Sequence, residues 1–283
     1  MTAPIAEAAH LGYGSSVILG LVQGLTEFLP ISSSGHLVLA QELLHVNEPG
    51  IVVEIALHVG TLVAVFIYFW REIAALVRAL PATIAQLARL RMPSDPHGRM
   101  TIALVVGTIP AAVAAVLWGD AIEASFESVR DTLIQLAITG AILQLSRIKI
   151  AARHTAGARE GLIVGIAQAI SIIPGISRSA CTITAGVFAG MDREAAARFS
   201  MLLVIPAILG ATVLAIPDIL EPAAGAQPGA PAIGGPLLVG VAVAFVSGLL
   251  ALRLLFLIAR KNRFDVFSWY LWIVAALGLA FMR

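Results

Sequence analysis

Two short polar runs interrupt an otherwise apolar chain, and they hold most of the residues that could do chemistry. The first reads Gln23-Gly-Leu-Thr-Glu27-Phe-Leu-Pro-Ile-Ser-Ser-Ser-Gly-His36, and the second reads Pro174-Gly-Ile-Ser-Arg178-Ser179, with Thr182 close behind. Arg178 is the sole Lys or Arg inside an apolar segment. Its planar fork of donors suits a phosphate or a carboxylate bidentately. Ser32, Ser33, Ser34, Ser177, Ser179 and Thr182 sit where the chain must reverse. Hydroxyls, the free N–H groups of helix N-termini and an arginine together make a phosphate cradle. The simpler alternatives are that Arg178 only pairs with Glu27, and that a given serine, Ser34 or Ser171 above all, only caps a helix or a turn.

His36 lies three residues from Ser33, so within one helical turn its imidazole can approach that hydroxyl. Such a pair can activate a nucleophile or deliver a proton to a leaving group. Gln23 and Glu27, four apart, share a helix face. Glu27 can serve as a base or hold a divalent cation, which prefers oxygen ligands and offsets phosphate charge. Glu54 and His58 are also four apart, a spacing that suits two metal ligands, but packing at the membrane interface is the favoured reading. Cys181 reads as a core residue; His10, His45, His97 and His154 read as loop residues without partners.

The elements that must position these groups follow from composition. Of 283 residues, 12% are charged and 59% apolar, against about 25% charged in a soluble domain. An ordinary cytosolic globule and a disordered chain are excluded, and the natural solvent is a bilayer. A net charge of +1 leaves no basic surplus for nucleic acid, and one cysteine excludes an internal disulfide. The N-terminus lacks the basic start of a cleavable signal peptide, so the chain reads as complete.

A spanning helix needs about 20 mostly apolar residues. Ile51–Trp70, Met100–Trp118, Thr132–Ser146, Phe199–Pro217, Ala232–Leu252 and Val266–Met282 are the six expected spans. The two remaining apolar regions, Leu11–Gln41 and Gly161–Met191, are broken by the polar runs, and each half has the length of a re-entrant segment. On this map 15 of the 18 Lys and Arg fall on one side, five of them between Arg71 and Arg99 in the loop after the first span. Asp120, Glu123, Glu127, Asp218 and Glu221 fall on the other. The positive-inside rule makes the basic side cytoplasmic and puts both termini outside.

The two broken regions resemble each other. Gly20-x-x-Gln23 recurs as Gly165-x-x-Gln168, and Ile31-Ser32-x-Ser34 as Ile176-Ser177-x-Ser179, both at an offset of 145. Three expected spans separate the copies, so the second is inverted, and inverted broken helices build polar sites inside membranes. The fold expected is an all-α polytopic membrane protein, a single domain over residues 1–283. It has six transmembrane helices and two re-entrant helix pairs, with repeat halves near 11–146 and 161–283.

At these residues the sequence resembles the undecaprenyl-diphosphate phosphatase family, also called bacitracin-resistance proteins. The carriers are the Gln23–His36 run and the Pro174–Ser179 run, and the likeness extends along essentially the whole chain. The resemblance implies a hydrolase in the bacterial inner membrane. It removes the terminal phosphate of undecaprenyl diphosphate and regenerates the carrier lipid for cell-wall synthesis. It further implies that Glu27 is the catalytic glutamate, Ser32 and Ser33 the motif serines, His36 the motif histidine, and Arg178, between Ser177 and Ser179, the phosphate-binding arginine. A Mg²⁺ or Ca²⁺ ion carried by Glu27 and a site open to the outer face are implied too.

This chain has Gln23 where some members carry Glu, Ala180 where the motif has Gly, and Leu271 after Tyr270 where some carry Arg. Thr182 and Gln23 join the substrate-binding candidates. Attack by Ser33 with His36 taking its proton, and direct attack by His36, both remain open. So do a monomer and a homodimer. A transporter or flippase of phosphorylated polyprenyl lipids is the rival reading, because broken inverted repeats are also transporter architecture.

Overall fold

The computed structural model describes residues 12–44, 50–123, 128–148, 156–173, 175–214 and 234–282. Pro174, His10, His45, His154, Lys149, Arg153, Glu127, Asp218 and Glu221, the side chains of Asp120 and Glu123, and the ends of two expected spans at 215–217 and 232–233 lie outside the described residues.

The described residues form eleven helices: α1 Tyr13–Phe28, α2 Ser33–Leu44, α3 Gly50–Tyr68, α4 Trp70–Ala88, α5 Pro96–Glu123, α6 Val129–Leu145, α7 Ala158–Ile170, α8 Arg178–Phe188, α9 Arg193–Leu214, α10 Gly235–Arg260 and α11 Asp265–Phe281. Within α5, α9 and α10, the stretches Pro96–Trp118, Arg193–Leu214 and Gly235–Arg260 are long and apolar enough to cross a bilayer. Helix α3 continues into α4 through a bend of 78°. Helices α6 and α11, at 17 residues each, sit at the short end of the spanning range. Exposed Val105, Ile109, Val113 and Val116 form one stripe along α5, and exposed Val246, Leu250, Leu254 and Leu257 form another along α10. Apolar stripes of this kind suit contact with acyl chains rather than water.

One expectation needs correction. The arginine-rich stretch after the first span is not a loop: Arg71 and Arg78 lie on helix α4 and Arg99 on α5. Residues 70–88 are rich in Ala, Leu and Arg, all good helix formers. Their arginines lower the mean hydropathy, so a test for spanning segments passes over an amphipathic helix. The chain turns at Phe69, whose φ of −104° and ψ of 19° leave the helical region. Its ring is buried against Tyr68 and Phe256, with centroids 4.9 and 5.7 Å away. Arg198 of α9 fixes the turn by binding Glu72 of α4 at 2.5 Å while lying over the Phe256 ring.

Two helix pairs approach closely through small residues. A methyl group at Gly20 of α1 would collide with the carbonyl oxygen of Gly240 of α10, and one at Gly165 of α7 with that of Gly107 of α5. Small residues let backbones meet in this way, which is how helices associate where burial from water gives no driving force. Gly20 and Gly165 are the offset-related pair of the repeat. Each broken region therefore docks its first helix onto a spanning helix of the other half of the chain.

The breaks themselves meet. Between α1 and α2 the chain reverses at Ser32, with φ at +72°; between α7 and α8 it reverses at Gly175, with φ at +79°. The Ser179 hydroxyl donates to the Leu29 carbonyl at 3.1 Å, and the Gly175 N–H to the Ser34 hydroxyl at 3.5 Å. Thr139 of α6 braces the second break by donating to the Gly175 carbonyl and accepting from the Ser177 N–H.

Candidate active site

Glu27 is the hub. It lies in the last turn of α1 and is 6% exposed. A bare carboxylate there would be costly, and this one is satisfied on every side. Its Oε1 accepts from Arg178 Nη2 at 2.6 Å. Its Oε2 accepts from Ser33 Oγ at 2.6 Å and from Gln23 Nε2 at 3.1 Å. The fourth neighbour is His58, whose Nε2 stands 3.5 Å from Oε2.

The helix ends explain why these groups converge. Ser33 is the first residue of α2 and Arg178 the first of α8, so two helix N-termini aim at the carboxylate. Their unpaired N–H groups and dipoles favour negative charge at that spot. Ser33 and Arg178 are also separated by 145 residues, the offset of the repeat. At the same offset Glu27 maps to Ile172 and His36 to Cys181. The first broken region supplies acid and hydroxyl, and the second supplies the guanidinium.

Arg178 uses one arm on Glu27. Its Nη1 is buried and has no hydrogen-bond partner among the described residues, and neither has Gln23 Oε1. A buried guanidinium nitrogen with nothing to bind is a donor held ready for an anion.

His36 departs from expectation. Its imidazole does not engage Ser33: Nδ1 bonds the Ser32 carbonyl at 2.8 Å and Nε2 meets the Tyr270 hydroxyl at 2.9 Å. A carbonyl only accepts, so Nδ1 carries the proton and Nε2 accepts from Tyr270. The His36 and Tyr270 rings are stacked, 5.6 Å apart and 10° from parallel. The ring folds back on the residue four before it because the break at Ser32 leaves that carbonyl open to a second donor.

The other hydroxyls are mostly committed to local structure. Ser32 Oγ accepts from the Gly35 N–H and Ser177 Oγ from the Ala180 N–H, each a helix cap. Ser179 is spent on Leu29, as described. Thr182 does not face the site: its hydroxyl shares a 2.6 Å bond with Ser200 of α9. It sits one turn into α8, past the break, where the helix has rotated it toward α9. Cys181 is buried and free.

Two residues meet the site that the sequence alone did not place there. His58 is a neighbour of Glu27, not a packing residue at the membrane interface, and its 4-residue relation to Glu54 serves a bond from its Nδ1 to the Glu54 carbonyl at 2.8 Å. Tyr270 reaches His36 from α11, and no local spacing announces it.

For a divalent cation, no group of three or more His, Cys, Asp or Glu side chains gathers among the described residues. The donors present are the Glu27 carboxylate, the Ser33 hydroxyl, the His58 Nε2 and the orphaned carbonyl oxygen of Gln23. An oxygen-rich set with an unused buried carbonyl fits such an ion.

A helical bundle with lipid-compatible faces carries a buried acid, hydroxyl and guanidinium where two broken helices touch, a set of groups with the chemistry to bind a phosphorylated ligand. The family comparison is specific: residues 16–277 match the family described as bacitracin resistance protein BacA, and the chain belongs to it. Among similar curated proteins is an undecaprenyl-diphosphatase from Desulforapulum autotrophicum, 38% identical, with the match covering 93% of this chain and 96% of the relative. Two more of that name, from Thermomicrobium roseum and Moorella thermoacetica, are each 39% identical. Their matches cover 95% and 94% of this chain, and 98% and 96% of the relatives.

Proposed function

We propose that this protein hydrolyses undecaprenyl diphosphate to undecaprenyl phosphate and inorganic phosphate. The relatives' shared activity supports the substrate, and one observation carries the chemistry: the Ser33 hydroxyl and the Arg178 guanidinium bind opposite oxygens of a single buried carboxylate.

Glu27, 2.6 Å from Ser33 Oγ, takes the hydroxyl proton as Oγ attacks the terminal phosphorus. The bond from that phosphorus to the bridging oxygen breaks, and undecaprenyl phosphate leaves as a stable anion. Water then releases phosphate from the serine ester. The free Nη1 of Arg178 and the N-termini of α2 and α8 neutralise the charge that builds on the equatorial oxygens, usually the largest catalytic contribution. Glu27 replaces His36 as the base in this reading. His36, locked between the Ser32 carbonyl and Tyr270, holds the reversal that presents Ser33. A divalent cation such as Mg²⁺ or Ca²⁺ would be held by Glu27, with Gln23 and Ser33 as further oxygen donors, and would supply further neutralisation of the diphosphate.

The wider frame is proposed with it. Six spans, an inverted repeat, a basic side facing the cytoplasm and a site opening to the outer face of a bacterial inner membrane belong to this reading. The reciprocal docking of α1 on α10 and α7 on α5 supports the repeat. Carriage of a phosphorylated lipid would need the arginine but not a serine hydroxyl bonded to a carboxylate, which favours hydrolysis over a flippase.

The test is phosphate release from undecaprenyl diphosphate by the purified protein in detergent. Wild type releases phosphate and Ser33→Ala and Arg178→Ala do not; a wild-type protein that folds yet releases none overturns the reading.

A further inference from the structure

Helix α4 leaves α3 through a bend of 78°. Helix α3 has 19 residues, the length of a spanning helix. A helix set nearly square to a spanning one runs along the bilayer surface, and the side chains of α4 are sorted for that position.

At 3.6 residues per turn, positions seven or eighteen apart fall close to one line along a helix. Trp70, Val77 and Ile84 form one such line, and they are 60%, 57% and 62% exposed. Leu80 and Leu87, also exposed, widen it. Arg71, Arg78 and Arg89 form a second exposed line about 100° further round. The third side faces the protein. There Ile73 and Leu76 pack on the core, Thr83 is buried beside Gly98 of α5, and Glu72 binds Arg198 of α9. Glu72 is the sole acid between Trp70 and Arg91. No acid pairs with Arg71, Arg78, Arg89 or Arg91 among the described residues.

Water would suit the arginine line but not the apolar one, and hydrocarbon the reverse. Both are satisfied together at the boundary between acyl chains and headgroups. Trp70 belongs at that depth, and the Arg71 guanidinium lies 5.4 Å from its ring centroid. Unpaired arginines beside one spent acid complement negatively charged headgroups rather than zwitterionic ones. We propose that α4 is a surface anchor that binds anionic phospholipid. Trp70, Val77, Ile84 and Leu87 enter the acyl boundary, and Arg71, Arg78 and Arg89 take the phosphates. This anchor stands apart from the reaction at Glu27.

The full chain is tested in phosphatidylcholine vesicles. A bimane label is placed on Ile84→Cys in the Cys181→Ser background. It is challenged with phospholipids that carry a nitroxide on the acyl chain and either a phosphatidylglycerol or a phosphatidylcholine headgroup. The Ile84 label is expected to be quenched, with a preference for phosphatidylglycerol of at least ~5-fold, the effect of one arginine. A label on exposed Ala82→Cys, on the arginine side, is expected to be quenched less by the acyl nitroxide and more by iodide in the water. R71Q/R78Q/R89Q abolishes the headgroup preference. High salt weakens it in the protein that keeps its arginines, which holds the test open if the triple variant fails to fold. An Ile84 label quenched no more than the Ala82 label overturns the proposal, and this is the result if a second copy or another protein covers the face. Equal quenching by the two headgroups, or a preference indifferent to salt and to loss of the arginines, overturns it as well.

Discussion

Glu27 accepts three hydrogen bonds, and the one from Arg178 makes two predictions. Removing the acid strands a buried guanidinium, and breaking a buried ion pair from one side costs about 3–5 kcal/mol. Glu27→Ala should therefore unfold at lower temperature than wild type, and Glu27→Ala/Arg178→Ala should recover part of the loss. Thermal unfolding in detergent checks it; strictly additive losses would mean the pair is not coupled. Arg178→Lys keeps the charge but loses the second arm, and phosphate release should fall about 10²–10³-fold, the size of a lost transition-state donor. At this scale the sequence was informative about residue type but not about pairing. Glu27, Ser33 and Arg178 were legible because ionisable and hydroxyl groups inside apolar segments are expensive and rarely idle. The partner of His36 was not, since Tyr270 lies 234 positions away and only tertiary packing joins them. The same holds for His58, whose helical spacing to Glu54 was visible while its approach to Glu27 was not.

The helices set how well those groups stay aligned. α1 seats on α10 through Gly20, and α7 seats on α5 through Gly165. Overpacking such a contact costs about 1–3 kcal/mol. Gly20→Leu and Gly165→Leu should each lower the unfolding temperature and reduce phosphate release. An unchanged midpoint in either would show that the close approach is unimportant. Gly175 adds a conformational demand, since an L-residue at φ of +79° is strained by about 1–2 kcal/mol. Its replacement by Ala should loosen the reversal that begins α8, read as a larger fall in activity than in stability. The broken regions were legible from Pro, Gly and Ser set inside apolar runs, and the offset of 145 paired them. Helix α4 was not, because its arginines mask its apolar positions from any test built for spans. Nor was the bend at Phe69, which depends on an aromatic cluster with Phe256.

Over the whole molecule, the docking of α1 on α10 and of α7 on α5 accompanies a site made of one acid and one guanidinium 151 residues apart in the chain. The orientation is open to direct measurement. Cys181 is buried and is the lone cysteine, so Cys181→Ser gives a background for labelling. Leu90 is 98% exposed between α4 and α5. Leu90→Cys should react with a membrane-impermeant maleimide only after cells are opened, and Gly12→Cys should react from outside in intact cells. The reverse pattern would invert the topology. The central claim is that Ser33, with Glu27 as its base, takes the phosphoryl group. Rapid quenching during turnover of undecaprenyl diphosphate labelled on its terminal phosphate tests it most directly. The account predicts acid-stable label on the peptide containing Ser33, absent in Ser33→Ala and Glu27→Gln. Acid-labile label on His36, or turnover that survives loss of the Ser33 hydroxyl, would contradict it.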